Sequence, residues 1–131
     1  MAKWHGFRPK YTNAEDIREV ADKYFKECDR EGKYPTVTGL GYMLGLSREA
    51  MCDYQKCIEA DRLRSLDYDV RVAIADTIKE CKAYIESRSE DKLFENGNPA
   101  GAIFSLKNNY KWVDKTEQVI ENKTIDIDLK D

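Results

Sequence analysis

The chain has 131 residues, a hydrophobic share of 41%, a charged share of 36% and a formal net charge of −3. That length holds one ordinary domain, or two very small ones sharing an interface. No apolar run approaches the length of a membrane span and no signal peptide is visible, so a membrane is not among the expected partners and a reducing cytoplasm is the natural compartment. The acidic balance argues against a monomeric DNA binder held by bulk positive charge, because phosphate neutralisation supplies most non-specific affinity.

The charge is uneven along the chain. Residues 1–56 hold 10 Lys/Arg against 9 Asp/Glu, residues 57–115 hold 10 against 11, and residues 116–131 hold 2 against 5. The first ten residues carry Lys3, Arg8 and Lys10, with His5 and no acid. Residues 1–11 therefore read as an irregular basic arm. Thr12-Asn-Ala-Glu15 matches a capping box. It opens a helix to about Glu31, in which Ile17, Val20, Ala21, Tyr24, Phe25 and Cys28 step three and four apart. Glu31-Gly-Lys-Tyr-Pro35 ends that helix, with glycine and then proline as stop signals.

Thr36 to Tyr54, TVTGLGYMLGLSREAMCDY, reads as a helix-turn-helix, the unit that places its second helix in the DNA major groove. Leu40 and Leu44 lie on the inner face of a short first helix. Gly45 follows where a tight turn needs positive φ, and Leu46 fills the corner. Ser47 is a good N-cap for the next helix. Met51 and Tyr54 return to the core. Gly41 sits where the two helices cross closest. The outward positions of the second helix are Arg48, Glu49, Cys52, Asp53 and Lys56.

That second helix could continue through Cys57 and Ile58, and Ala60 to Leu66 reads either as more helix or as a connector. Ser65-Leu-Asp67-Tyr-Asp69 offers a further N-cap for a long helix to about Phe94. Its stripe is Val70, Ile74, Ile78, Cys81 and Ile85. A long amphipathic helix with little of its own chain to cover it points to packing against other subunits. Asn96-Gly-Asn98 is a turn, and Pro99 suits the first position of a last helix to about Asn108. Ile103, Phe104 and Leu106 are its expected buried set, Asn108-Asn109 its left-handed end, and Tyr110 and Trp112 the cover over the end of the core. In the tail, Ile125, Ile127 and Leu129 alternate with Asp126, Asp128 and Lys130, a strand pattern. A lone strand is either disordered or paired between subunits.

The expected fold is therefore mainly α. A basic arm (1–11) precedes a helix-turn-helix domain (12–62), a helical oligomerisation domain (63–115) and an acidic tail or strand (116–131). Four cysteines, Cys28, Cys52, Cys57 and Cys81, form no CxxC pair, and the one histidine lies near the N-terminus, so a zinc site has little support. Cys28 and Cys81 fall on apolar faces and read as small core residues. No GxxxxGK[ST] loop is present to cradle a triphosphate, and the acids form no recognisable metal cluster. No catalytic residue, metal or cofactor is expected.

Among the outward residues, Arg48 opens the second helix and is the best candidate for a base-edge or phosphate contact; the alternative is a solvated surface arginine. Lys56 suits a phosphate better than a base. Ser47 can cap its helix and donate to a phosphate at the helix N-terminus. Glu49 and Asp53 are repelled by phosphate; they could accept from cytosine amino groups, but pairing with neighbours such as Arg48 is the expected arrangement. Lys3, Arg8 and Lys10 could add phosphate or minor-groove contacts, as N-terminal arms do elsewhere, or belong to a disordered arm.

Three blocks carry a family resemblance: PTVTGLGYMLGLSREAMCDYQ, DTIKECKAYIESRSEDKLFENGN and AGAIFSLKNNYKWVDKTE. In that order, over about residues 12–117, the chain resembles bacteriophage terminase small subunits of the DNA-packaging protein family. The resemblance implies a non-catalytic subunit in the host cell cytoplasm that binds double-stranded viral DNA at a packaging site. It further implies assembly into a ring and delivery of DNA to a large subunit carrying the ATPase and nuclease. It maps the DNA-reading role onto Thr38, Ser47, Arg48 and Lys56, and large-subunit contact onto the stretch after Trp112. The rival expectation from the residues is a small dimeric helix-turn-helix transcription regulator of phage or bacterial origin.

Overall fold

The computed structural model describes residues 9–95 and 97–114. Lys3, Arg8 and the alternating tail at 125–130 lie outside them. Among the described residues there are five helices and no strand: α1 (Ala14–Glu31), α2 (Val37–Leu44), α3 (Arg48–Gln55), α4 (Tyr68–Leu93) and α5 (Ala100–Tyr110). The chain divides into two compact units, Met1–Arg88 and Ser89–Asp131.

In the first unit, α1 begins one residue later than the capping-box pattern predicts. Asn13, not Thr12, is the N-cap, and its side chain accepts from Asp16 N at 2.9 Å. The Asn13 side-chain amide also donates to the Asp16 carboxylate at 3.2 Å, so the side chain paired with the cap is Asp16 and not Glu15. At the other end Gly32 adopts the left-handed cap that the Gly…Pro signal anticipates. Ile17, Ala21 and Cys28 are buried along one face. Tyr24, from the same helix, accepts a hydrogen bond from Thr36 N at 3.0 Å and so ties the start of α2 to α1.

The α2–turn–α3 unit follows the sequence closely. Thr36 caps α2 by accepting from Gly39 N. Gly45, at φ 71°, ends it in the left-handed region where a side chain would be strained. Ser47 caps α3 by accepting from Ala50 N at 3.1 Å. A Cβ on Gly41 would stand 3.0 Å from Met51 Sδ and 3.1 Å from the Leu46 carbonyl, so a side chain there would force both neighbours to give by a few tenths of an ångström. Leu40, Leu44, Met51 and Tyr54 form the buried seam.

Tyr11 is the largest departure from the expected arm. It is buried, its amide donates to the Tyr54 hydroxyl at 2.9 Å, and its own hydroxyl donates to the Leu44 carbonyl at 2.7 Å. The two rings meet edge to face, with centroids 6.2 Å apart. The end of the arm is thus stitched to the last turn of both helices. A tyrosine with no periodic neighbours gives no sign of this in sequence.

The α3 helix stops at Gln55 and does not continue through Cys57 and Ile58. A run of turns follows, in which Asp61 (φ 52°) and Leu63 (φ 56°) are left-handed without being glycine. Such residues cost about 1–2 kcal/mol each. Leu63 is buried and Cys57 fully so. Arg71 accepts the Cys57 thiol proton on its carbonyl at 3.2 Å and donates to the Arg62 carbonyl and the Asp61 carboxylate, each at 3.4 Å. These anchors hold the connector in its strained path.

The long α4 spans 26 residues, about 39 Å at 1.5 Å per residue. Its stripe does not wait for another subunit. Ile74, Ala75, Ile78, Cys81 and Ile85 are already buried in the single chain. Phe25 on α1 packs on Tyr84, with ring centroids 4.6 Å apart, and Arg18 pairs with Glu80. The α3 side contributes Gln55 against Lys82 and Glu59 against Lys79. The expectation that the chain leaves this helix uncovered is therefore corrected over residues 74–85.

Burial pushes the Cys81 thiol up to about 11 and also raises Cys57, Tyr11 and Tyr24. Each stays neutral in the fold and ionises earlier once unfolded. Between the ordinary thiol value and about 11, these four groups therefore bind fewer protons in the unfolded chain than in the folded one, and their contribution to stability falls as pH rises. The urea midpoint near pH 10 should lie clearly below that near pH 7; equal midpoints would contradict the burial of these groups.

The second unit holds the last turn of α4 and α5. Its last helix departs from expectation in four places. Pro99 precedes the helix at the N-cap position, and Asn98 accepts from Ala100 N at 3.0 Å. The helix runs on to Tyr110, and over its last turns the Asn108 side-chain amide donates to the Phe104 carbonyl and the Asn109 side-chain amide to Ser105 Oγ, both one turn back. The left-handed end falls on Lys111 (φ 62°). Of the expected buried set only Leu106 is buried; Ile103 is 42% exposed and Phe104 70%. Trp112 and Tyr110 are half-buried.

Candidate nucleic-acid interface

The outer face of α3 is defined by which of its residues the core claims. Met51 and Tyr54 are buried, while Arg48, Glu49, Cys52 and Lys56 are exposed. Arg48, Cys52 and Lys56 recur every four residues and so share one face of the helix. This face carries two cations and one or two acids, so its net charge is close to zero. No helix among the described residues is long and apolar enough to cross a membrane.

Each expected contact residue that lies in the described region has a definite place. Ser47 Oγ is occupied as an acceptor by the cap bond, which leaves its hydroxyl hydrogen available to donate. Arg48 stands immediately after it, in the first turn of α3. Lys56 is the C-cap residue of α3, with its side chain in solvent. Thr38 is exposed on α2, one turn before the solvent-facing Tyr42. Lys10 is exposed and folds against the turn: a Cβ on Gly45 would lie 2.5 Å from Lys10 Nζ. The structure thus brings Lys10 to the turn between α2 and α3, beside the capped start of the second helix. Asp53 pairs with a neighbour, but the partner is Arg62 at 3.7 Å and not Arg48.

Two cations that periodicity does not single out also reach α3. Lys82, half-buried on α4, donates to Gln55 Oε1 at 2.8 Å. Burial pushes its ammonium below the ordinary lysine value; the positive charges of Arg48 and Lys56 push the same way, against an opposing pull from Cys52. Three basic groups therefore share one region of α3. On α4, Lys82 follows Cys81 at the border of the buried stripe. That border position is visible in sequence; the element facing it is not. The second cation, Arg62, sits in the strained connector and reaches back to Asp53.

Cys28, Cys57 and Cys81 are buried and Cys52 is exposed, and all four are free thiols. Among the described residues no group of three His, Cys, Asp or Glu side chains is placed to hold a metal ion. The arrangement can present a short capped helix, with its N-terminal N–H groups and flanking cations, to an anionic surface.

A family model described as DNA-packaging protein gp3 matches residues 6–120. No curated protein and no solved structure matches the chain significantly.

Proposed function

The chain belongs to the DNA-packaging protein gp3 family, packaging proteins of the phage terminase small-subunit type, and from that premise we propose that it is the non-catalytic DNA-recognition subunit of a packaging terminase. In this role it binds double-stranded viral DNA at a packaging site as a ring, in the host cytoplasm. It then delivers the DNA to a large subunit that carries the ATPase and nuclease. The observation that carries the reading is the capped α2–turn–α3 unit, with Arg48 and Lys56 on its outer face, inside a chain that the family model matches almost throughout. Thr38, Ser47 and Lys10 border the same face, and Lys3 and Arg8 extend the basic arm before it. The stretch after Trp112 is the proposed large-subunit contact.

Multivalency supports the ring. An α3 with nearly balanced charge gives weak binding per head, and linking heads makes each further contact intramolecular. The second unit offers apolar surface for such assembly. Phe94 is 83% exposed, and Ile103, Phe104 and Val113 are also open to solvent. A groove of about 430 Å³ lies beside them, lined by Leu93, Ile103, Leu106, Trp112 and Val113, with the Lys107–Asp114 ion pair on its wall.

Native mass measurement tests the assembly. Many protomers per particle are expected, and Phe104→Asp should shift the population toward small species, because a buried charge without a partner is strongly unfavourable. A strict monomer at micromolar concentration would count against the ring. Exactly two protomers on a palindromic site would favour a dimeric regulator instead.

A further inference from the structure

The α3 helix has two edges where its exposed arc meets the body of the first unit. Asp53 and Gln55 are two residues apart, about 200° around the axis at 3.6 residues per turn. Arg48, Glu49, Cys52 and Lys56 occupy the arc between them on the solvent side. Met51 and Tyr54 occupy the other arc, in the core. Each edge residue is gripped by a cation from a different element. Gln55 accepts from Lys82 of α4 at 2.8 Å, and Asp53 pairs with Arg62 of the α3–α4 connector at 3.7 Å. One cation therefore flanks α3 on each side.

We infer that Lys82 and Arg62 are a pair of phosphate contacts, one for each of the two DNA strands that wall the major groove when α3 enters it. The inference rests on the proposed DNA-reading role of α3. A helix with its side chains is about 10–12 Å across, and the major groove is about 12 Å wide. A helix seated there fills the groove, so groups at its two edges meet the two phosphate backbones. Contacts of this kind set register and orientation, and leave base reading to the residues on the arc between.

The features holding the two cations fit this role. Arg62 lies between Asp61 and Leu63, both left-handed, in a connector pinned by Arg71 to the Arg62 carbonyl. Backbone strain of this kind persists only where the surroundings over-determine it, and here it fixes the point from which Arg62 projects. Its side chain is 61% exposed, and only Nε faces Asp53, at 3.7 Å, so the guanidinium keeps donors that can turn to a phosphate. Lys82 is set at the α4 edge of α3 by its hydrogen bond to Gln55. Asp53 holds Arg62 in place before binding and competes with phosphate for it afterwards.

The test is equilibrium binding of the full chain to a mixed-sequence DNA duplex, read as the slope of log affinity against log salt. Arg62→Gln and Lys82→Gln should each lower the slope by about one per engaged head, equally on all sequences, and the double variant by about two. Asp53→Asn removes the competitor and a repelled charge, so it should tighten binding. A double variant with unaltered slope, while Arg48→Ala and Lys56→Ala still weaken binding, would overturn the flanking assignment and leave the recognition role of α3 standing. Absence of any DNA binding by the unmodified chain would overturn both. Matched circular dichroism spectra and thermal midpoints separate lost contacts from lost folding.

Discussion

Tyr54→Ala is expected to destabilise the first unit by about 3–5 kcal/mol, the range for truncating a large buried aromatic. Three losses combine. The ring is 1% exposed and fills the space between α2, α3 and the end of the arm, so its removal leaves a cavity. The edge-to-face contact with Tyr11 disappears. The Tyr11 amide, which donates to the Tyr54 hydroxyl, is left without that acceptor in a buried setting. Total stabilities of about 5–15 kcal/mol are ordinary, so such a loss takes a large share of what holds the unit together. Tyr54→Phe separates the terms: it keeps the ring and removes only the acceptor, for an expected cost of about 1–3 kcal/mol. Urea melts followed by circular dichroism measure both. A Tyr54→Ala midpoint equal to that of the unmodified chain would sink the claim that this tyrosine links the arm to the helix pair.

That linkage also shows where sequence reading reached and where it stopped. The helix-turn-helix was legible because its signals are local. A Ser47 cap, a left-handed Gly45 and leucines four apart each constrain neighbours within a turn of themselves. The existence of α1, α4 and α5 followed from period and punctuation in the same way. Tyr11 was not legible, because its partners Leu44 and Tyr54 lie 33 and 43 residues away and nothing near Tyr11 encodes them. The end of α3 was ambiguous for a related reason. The connector after it takes left-handed turns at Asp61 and Leu63; a buried leucine carries no turn signal, and the anchor that stabilises the pair is the distant Arg71. The exposed Ile103 and Phe104 mark the opposite limit. Periodicity identified an apolar face on α5, and a single chain does not bury it.

The candidate site divides along the same line. Ser47, Arg48 and Lys56 could be named because they belong to α3 itself. Lys82 and Arg62 come to α3 from elements whose placement depends on tertiary packing, so sequence gave each the look of an ordinary surface cation. Their arrival changes the electrostatics of the head. Viewed alone, α3 is close to neutral; with its two flanks it gains positive charge where phosphates would lie.

Arg48→Ala and Lys56→Ala should have the largest functional effects, and different ones. On the exposed arc the two cations are set against Glu49, with Asp53 at the edge. Removing either cation leaves the exposed arc of α3 with no net positive charge. Arg48 follows the Ser47 cap, where the helix N-terminus points its N–H groups outward and where recognition helices place base-reading side chains. Its loss should cost about 1–3 kcal/mol per head on the preferred sequence, roughly 5- to 150-fold, and should relax discrimination at one base position. Lys56, at the far end of the helix, should weaken binding evenly across sequences and lower the salt slope by about one. In a multi-headed assembly these per-head losses multiply over the heads engaged, so the double variant should lose detectable site-specific binding. Gel shifts on packaging-region and unrelated duplexes at two salt concentrations distinguish the two signatures. Binding that is unchanged in both single variants would show that α3 is scaffold, and would move the chain's role from reading DNA to joining proteins around it.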